Sequence, residues 1–393
     1  MAEQPTMKDT LTLAVITGTR ADYGLLQPVL ELVAKSKRFD LKVVATGMHL
    51  SPEFGLTYRA IEADGFPIAE RVEMLLSSDT PVGIAKATGL GTIGFAECFE
   101  RLQPDLLFIP GDRFEMLAAA TAALPRRLPI AHLSGGDVTE GAMDDAIRHA
   151  LTKMAHLHFV TNEVAQRRVR QLGEDPKRIH LVGNPALDQI ARLELMERQA
   201  FEDAVGLKLR EKNLLITYHP VTLDDTPSAM AFSELLAALE ALGPDVGLIF
   251  TKPNADTHGR VLIGMVDAFV RGHQNSVAHV SMGQRLYYSA MKHASMVVGN
   301  SSSGLLEAPS FHIPTVNVGD RQRGRVRAAS VIDTPAEAAS IGEAIQRAFA
   351  LDASAVKNPY GDGKSAERIV KVLKDIDDPR ALVRKSFQDL PQP

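Results

Sequence analysis

Short apolar runs rich in β-branched residues alternate with helix-like segments along this chain, and few folds accommodate that alternation. In the first half the runs are Leu11–Thr17, Leu41–Thr46, Leu106–Pro110, Ile130–Leu133, Leu157–Thr161 and Ile179–Val182. A second series follows at Leu214–Tyr218, Gly247–Thr251, Ala278–Val280, Met296–Val298 and Thr315–Val318. Each is almost continuously apolar, as strands buried on both faces are. Between them lie segments such as Ala142–Ala155, where Ile147, Ala150, Leu151 and Met154 recur at helical spacing. The repetition predicts βαβ units and parallel sheets. At 393 residues the chain exceeds one comfortable core, so two α/β domains are expected. The seam is expected within Asn184–Lys212, which gives a first domain over 1–190 and a second over 191–370.

Composition narrows the function. A net charge of -5 argues against a nucleic-acid surface while permitting a local basic pocket. The only cysteine, Cys98, excludes an internal disulfide and a thiolate metal cage. No apolar run approaches the roughly 20 residues of a membrane helix, and the first ten residues lack a signal-peptide core. A soluble cytoplasmic protein without a membrane partner is expected.

Four segments at the ends of apolar runs carry the chemistry: Gly18-Thr19-Arg20-Ala21-Asp22, Gly111-Asp112-Arg113, Thr217-Tyr218-His219-Pro220 and Gly299 to Gly304. In an open parallel sheet, ligands sit beyond the carboxyl ends of strands. Arg20 at a helix start offers phosphate a bidentate contact; pairing with Asp22 is the structural alternative. Ser301 and Ser302, with Arg321, Arg323, Arg325 and Arg327 shortly after, suit a pyrophosphate. Asp112, Asp137, Asp144 and Asp145 bring acidic groups to one sheet edge, where crowded carboxylates can serve as acid and base. Arg113 is the expected salt-bridge partner of Asp112. His219 and His49 follow strand ends and suit proton movement or phosphate contact. His156 and His158 lack further ligands, so no metal is expected. The absence of a GxGxxG fingerprint argues against a dinucleotide cofactor, and no cofactor of any kind is expected.

Taken together, TGTRADYG, TGMHLS, GDRFE, GGDVTEGAMDDAIRHALTKMAH, YHPVT, KPNADT, GNSSSGLLEAPSF and GDRQRGR resemble the hydrolysing UDP-N-acetylglucosamine 2-epimerases of sialic- and legionaminic-acid pathways. The resemblance runs from Thr17 to about Asp333. It implies two Rossmann-like domains of GT-B type facing a central cleft, and assembly as a homodimer or homotetramer. It also implies a terminal helix crossing back to the first domain, which sets 371–393 apart. The implied reaction is anti elimination of UDP followed by hydration of a glucal, on UDP-N-acetylglucosamine or a UDP-2,4-diacetamido-6-deoxy sugar. By motif position Asp112, Asp137 and Asp144 or Asp145 match the family's acid/base carboxylates. His219 matches its phosphate-side histidine, and His49 a further participant. Arg20, Arg113, Asn254, Ser301, Ser302, Glu307 and Arg321 fall where the family holds UDP, Glu307 facing the ribose hydroxyls.

One residue departs from the pattern. The family commonly has Gly-Gly-Glu where this chain has Gly135-Gly136-Asp137, and the shorter side chain places Asp137 below Asp112 in expected importance. The non-hydrolysing epimerases of the same fold generally carry His-Val-Glu-Ala-Gly where this chain has His132-Leu133-Ser134-Gly135-Gly136, which favours release of free sugar. A glycosyltransferase of the same fold and an inactive nucleotide-sugar-binding regulator are the competing readings.

Overall fold

The computed structural model describes residues 8–78, 80–139, 143–220, 228–252 and 259–389. The chain divides into two compact units, Met1–Gln189 with Tyr360–Pro393, and Ile190–Pro359. In the first unit seven strands form one parallel sheet: β1 (Leu11–Thr17), β2 (Phe39–Thr46), β3 (Ile68–Val72), β4 (Leu106–Pro110), β5 (Ile130–Leu133), β6 (Leu157–Val160) and β7 (Ile179–Leu181). Their order is β3-β2-β1-β4-β5-β6-β7. In the second unit β8 (Lys212–Thr217), β9 (Val246–Thr251), β10 (Ser276–His279), β11 (Met296–Gly299), β12 (Thr315–Val318) and β13 (Val331–Thr334) form a sheet ordered β10-β9-β8-β11-β12-β13. Both are doubly wound α/β sheets of the Rossmann kind.

Burial on both faces explains the continuous apolar runs. In β1, Leu11, Leu13 and Val15 join one core with the helix Arg20–Ala34, while Ala14 and Ile16 join a second core with the helices Pro81–Leu102 and Phe114–Ala123. In β8, Leu214 and Ile216 face one way and Leu215 the other, so the second unit repeats the arrangement. Side chains alternate across a strand, so filling both layers needs apolar residues at every position.

Eleven expected strands are present with ends shifted by no more than two residues, and two strands escaped the sequence reading. Both are edge strands. β3 carries Glu70, clamped by Arg101 at 2.8 and 2.9 Å. β13 carries Asp333, which accepts from Asn317 at 2.7 Å and pairs with Arg327. Charge blunts an exposed sheet edge and also interrupts the apolar signal of a strand.

The sequence reading ends the second domain at residue 370, whereas the chain returns to the first unit at Tyr360. Asn184 N–H donates to the Tyr360 carbonyl at 2.7 Å. The buried carboxylate of Asp188 then accepts from the backbone N–H groups of Ser365 and Ala366, at 2.9 and 2.7 Å, capping the helix Ser365–Lys374 from outside it. Ala366, Ile369, Val370 and Leu373, at helical spacing, fill the core shared with Arg20–Ala34. Beyond that helix, Lys385 reaches back to the carbonyls of Lys153 and Ala155 and to both carboxylate oxygens of buried Glu174.

Candidate active site

Strand order reverses between β1 and β4 in the first unit and between β8 and β11 in the second, and such switch points are where doubly wound sheets bind ligands. The four chemistry-bearing segments lie at the carboxyl ends of these four strands.

At the end of β1, Thr19 and Asp22 form a capping box. Thr19 Oγ1 accepts from the Asp22 N–H at 3.2 Å, and the Asp22 carboxylate accepts from the N–H groups of Gly18 and Thr19 at 3.2 and 3.0 Å. Asp22 is therefore committed to its own helix and not to Arg20, which stands exposed at the helix start. Burial pushes the Asp22 carboxyl up to about 6, against the opposing pull of Arg113.

At the end of β4, Gly111 adopts φ +67° and swings Asp112 out of the strand. His132, wholly buried, holds the Gly111 carbonyl through Nε2 at 2.7 Å. Arg113 turns away from Asp112 and grips the buried Glu115 through two hydrogen bonds of 3.1 and 2.9 Å. The expected Asp112–Arg113 pair is thus replaced. The partner of Asp112 is Arg148, from the helix Met143–Met154.

Arg148 is 5% exposed and gathers the acidic loci into one cluster. One guanidinium nitrogen donates to the Asp112 carboxylate and to Thr139 Oγ1, the latter at 3.0 Å. Another donates to the Asp137 carbonyl at 2.8 Å and to the Asp145 carboxylate at 3.3 Å. Asp145 also accepts from the Thr139 N–H at 2.7 Å. The Asp137 carboxylate turns toward the end of β6, accepting from the Thr161 hydroxyl at 2.9 Å and from Asn162 at 3.0 Å. Asp144 lies within electrostatic reach of Arg113. The sequence reading missed Arg148 and Glu115, although both stand inside quoted motifs. A helix residue three positions after Asp145 gives no local sign of where its side chain ends.

His49 is brought to the β1 end but is enclosed there, fully buried, with Nε2 2.9 Å from Thr17 Oγ1 and Nδ1 2.7 Å from Thr57 Oγ1. Burial lowers its pKa to about 4. Both ring nitrogens meet threonine hydroxyls, so His49 braces the β1 loop.

In the second unit Gly299 ends β11 at φ +134°, in such close contact with β8 that a Cβ would come within 2.0 Å of the Thr217 carbonyl oxygen. The next residue, Asn300, is fully buried and pins His219: its Oδ1 accepts from the His219 N–H at 2.7 Å and its Nδ2 donates to the His219 carbonyl at 2.8 Å. Arg321 and Gln322 both donate to the Asn300 carbonyl, at 3.0 and 2.8 Å. The four arginines expected to act together part company here, because Arg327 instead pairs with Asp333 at the sheet edge.

Beside this knot opens a cavity of about 450 Å³ lined by Thr217, Thr251, Tyr287, Ser301, Ser303 and Glu307 among others. Ser301 and Ser303 hydroxyls lie 3.1 Å apart, and Tyr287 reaches Ser303 at 2.6 Å. The Tyr288 hydroxyl donates to Glu307 at 3.2 Å. Loss of surrounding water pushes the Glu307 carboxyl up to about 7, against the downward pull of that hydrogen bond. Ser302 stands at the start of the short helix Ser303–Leu306 and is half-buried. Asn254 lies outside the described residues.

Residues 31–374 match the family model described as UDP-N-acetylglucosamine 2-epimerase. The chain belongs to this epimerase family. It is 39% identical over 323 residues to the GDP/UDP-N,N'-diacetylbacillosamine 2-epimerase (hydrolyzing) of Campylobacter jejuni, spanning 82% of this chain and 84% of that protein. It is 36% identical to the UDP-N,N'-diacetylbacillosamine 2-epimerase (hydrolyzing) of Legionella pneumophila, over 92% of this chain and 95% of that protein. Against the UDP-N-acetylglucosamine 2-epimerase of Neisseria meningitidis identity is 33%, over 95% and 98% of the two chains. Among solved structures, a UDP-GlcNAc 2-epimerase from Neisseria meningitidis bound to UDP-GlcNAc superposes with a TM-score of 0.75 at 17% identity, covering 92% of this chain and 99% of that one. This likeness agrees with the two-sheet, GT-B-like architecture described above.

Proposed function

We propose that this epimerase hydrolyses a UDP-linked 2-acetamido sugar, inverting C-2 and releasing UDP and the free 2-epimeric N-acetyl sugar. The observation that carries the reading is the gathering on one buried guanidinium of the Asp112 and Asp145 carboxylates and the Asp137 backbone carbonyl, from two strand-end loops and the start of a helix. Inverting C-2 requires a proton to leave one face of the ring and arrive on the other. A single acid/base group returns the proton to the face it came from, so at least two are needed.

The second unit takes the uridine diphosphate in this reading. Ser301 and Arg321 face the diphosphate, His219 assists on its phosphate side, and Glu307 accepts from ribose hydroxyls. Elimination then breaks the C-1–O bond, the pair leaving on a phosphate oxygen, while the C-2–H pair forms the glucal double bond. Water adds across that bond to give the free sugar.

The identities of 39% and 36% to diacetylbacillosamine epimerases, against 33% and 31% to the UDP-GlcNAc epimerase and to the Escherichia coli polysialic acid biosynthesis protein P7, favour a UDP-2,4-diacetamido-6-deoxy sugar as substrate. The product is then a precursor for sugars of the sialic- or legionaminic-acid type. Homodimeric or homotetrameric assembly and a cytoplasmic location belong to the same proposal; among the described residues no helix is long and apolar enough to cross a membrane.

Incubation with each nucleotide sugar in D2O is the test. Free UDP, free hexosamine and one deuterium at C-2 are expected, faster from the diacetamido substrate. Free sugar from neither sinks the reading, and a product without deuterium at C-2 points to transfer or plain hydrolysis. Ser301→Ala removes one hydroxyl from the diphosphate grip and is expected to weaken UDP binding about tenfold by calorimetry, roughly the worth of one charge-assisted hydrogen bond.

A further inference from the structure

We propose that Asn300 is a positioning residue for His219: its buried carboxamide fixes both main-chain polar groups of the histidine and so aims the imidazole at the diphosphate. The inference rests on the reading above that puts His219 on the phosphate side, and adds to it what holds the histidine there.

β8 and β11 are parallel neighbours, and their pairing runs out at Thr217 and Gly299. One main-chain bond follows, from the Asn300 N–H to the Thr217 carbonyl at 3.1 Å. Beyond it the chain of β8 reaches His219 and then Pro220, which brings no N–H and disfavours helical backbone at the residue before it. Neither a strand nor a helix therefore takes up the polar groups of His219. The Asn300 side chain does. Its Oδ1 accepts from the His219 N–H at 2.7 Å, and its Nδ2 donates to the His219 carbonyl at 2.8 Å. A carboxamide carries the donor and the acceptor of a peptide group, so it adds one more rung where the ladder has ended.

Few residue types could do this. Aspartate lacks the donor, and alanine or leucine lacks both groups. The main chain of Asn300 is engaged as well, since its carbonyl accepts from Arg321 at 3.0 Å and from Gln322 at 2.8 Å. Asn300 is fully buried, whereas His219 is half-buried and Arg321 is exposed. A rigid node thus lies beneath two side chains that reach the surface. With the His219 backbone held at both polar atoms, only two side-chain torsions remain to direct the ring. Binding groups work when held within about 0.5 Å of the productive position, which is what such support provides.

A double-mutant cycle in the full-length protein tests the role, with UDP affinity measured by calorimetry. His219→Ala and Asn300→Ala are each expected to weaken UDP binding about tenfold, roughly the worth of one hydrogen bond to a charged group. The double variant should stay within threefold of either single variant, because without the imidazole Asn300 has nothing to aim. Independent effects would instead multiply to about 100-fold. Asn300→Leu, close to asparagine in size and also without the two bonds, should repeat the result without leaving a cavity. The His219 imidazole signal, assigned in NMR spectra by its loss in His219→Ala, should move when UDP is added to wild type and stay put in Asn300→Ala.

A double variant weaker than the singles by more than threefold overturns the proposal, as does Asn300→Ala binding UDP within twofold of wild type. His219→Ala binding UDP like wild type defeats the phosphate-side reading of His219 and the proposal with it, whereas multiplying effects defeat the positioning role alone. If neither Asn300 variant folds, hydrogen exchange in wild type decides. Protection of the His219 N–H supports the clamp, and exchange at the rate of an open amide rejects it. Inactivity on both nucleotide sugars defeats the epimerase reading, while the UDP cycle still reports whether Asn300 acts through His219.

Discussion

Asp112→Asn is expected to lower kcat by about 1000-fold, a loss of ~4 kcal/mol of transition-state stabilisation, while UDP affinity changes by less than twofold. Asparagine is nearly isosteric with aspartate, and its amide oxygen still accepts from Arg148. The loop built on Gly111 and His132 therefore keeps its shape. What disappears is the capacity to take a proton. UDP binding survives because the residues proposed to hold UDP, Ser301 and Arg321 at the diphosphate and Glu307 at the ribose, belong to the other unit. Single-turnover kinetics with calorimetry of UDP binding make the comparison. Turnover within tenfold of wild type would remove Asp112 from the chemistry, whereas no turnover in wild type and variant alike would leave the regulator reading as the better one.

Glu174→Gln is expected to cost about 3–4 kcal/mol of stability at pH 7, the range for removing one member of a buried ionic cluster. Glu174 is 2% exposed in its side chain and receives Lys153, Lys385 and, at 3.0 Å, His158 Nε2. Burial alone would raise its pKa, yet these three partners outweigh burial and hold the carboxyl down at about 2. Because the folded pKa lies below the ordinary glutamate value of about 4.3, the stabilisation is complete above that value and is lost as pH falls toward 2. A fall from about 4.3 to about 2 corresponds to ~3 kcal/mol, in agreement with the mutational expectation. Urea unfolding at pH 7 and pH 3 should therefore show a gap between wild type and variant that narrows markedly at the lower pH. A gap independent of pH would mean that the cluster acts by packing alone. Since Lys385 lies in the final segment and Lys153 in the helix that also carries Arg148, the loss should begin with release of the chain end.

Much of this architecture could be read from residue order. Runs such as Leu11–Thr17 and Leu106–Pro110 need apolar side chains at every position to fill both layers around a parallel strand, and that requirement is visible without coordinates. The edge strands β3 and β13 were invisible for the converse reason, since charge at Glu70 and Asp333 protects an edge and erases the pattern. The candidate site was legible as a set of loops. Within each doubly wound sheet the positions after strand ends lie along one edge, so Asp112 and Asp137 in one unit and His219 and Ser301 in the other could be named.

Partnerships within those loops were not legible. Sequence adjacency suggested Arg113 for Asp112 and Asp22 for Arg20, but a β-region backbone at Arg113 and a capping box at Asp22 send both elsewhere. His49 illustrates the same limit, since a histidine after a strand reads alike whether it faces a ligand or is enclosed by Thr17 and Thr57.

The sequence by itself determined that the chain forms two parallel-sheet units and which strand ends carry chemistry, because periodicity and turn residues are local properties. Only the tertiary structure decided that Arg148 binds Asp112, that Asn300 fastens β8 to β11, and that the chain re-enters its first unit at Tyr360. Those choices depend on where a long side chain or a buried amide finds its partner in space, and residues 36, 81 and 176 positions apart meet by packing alone.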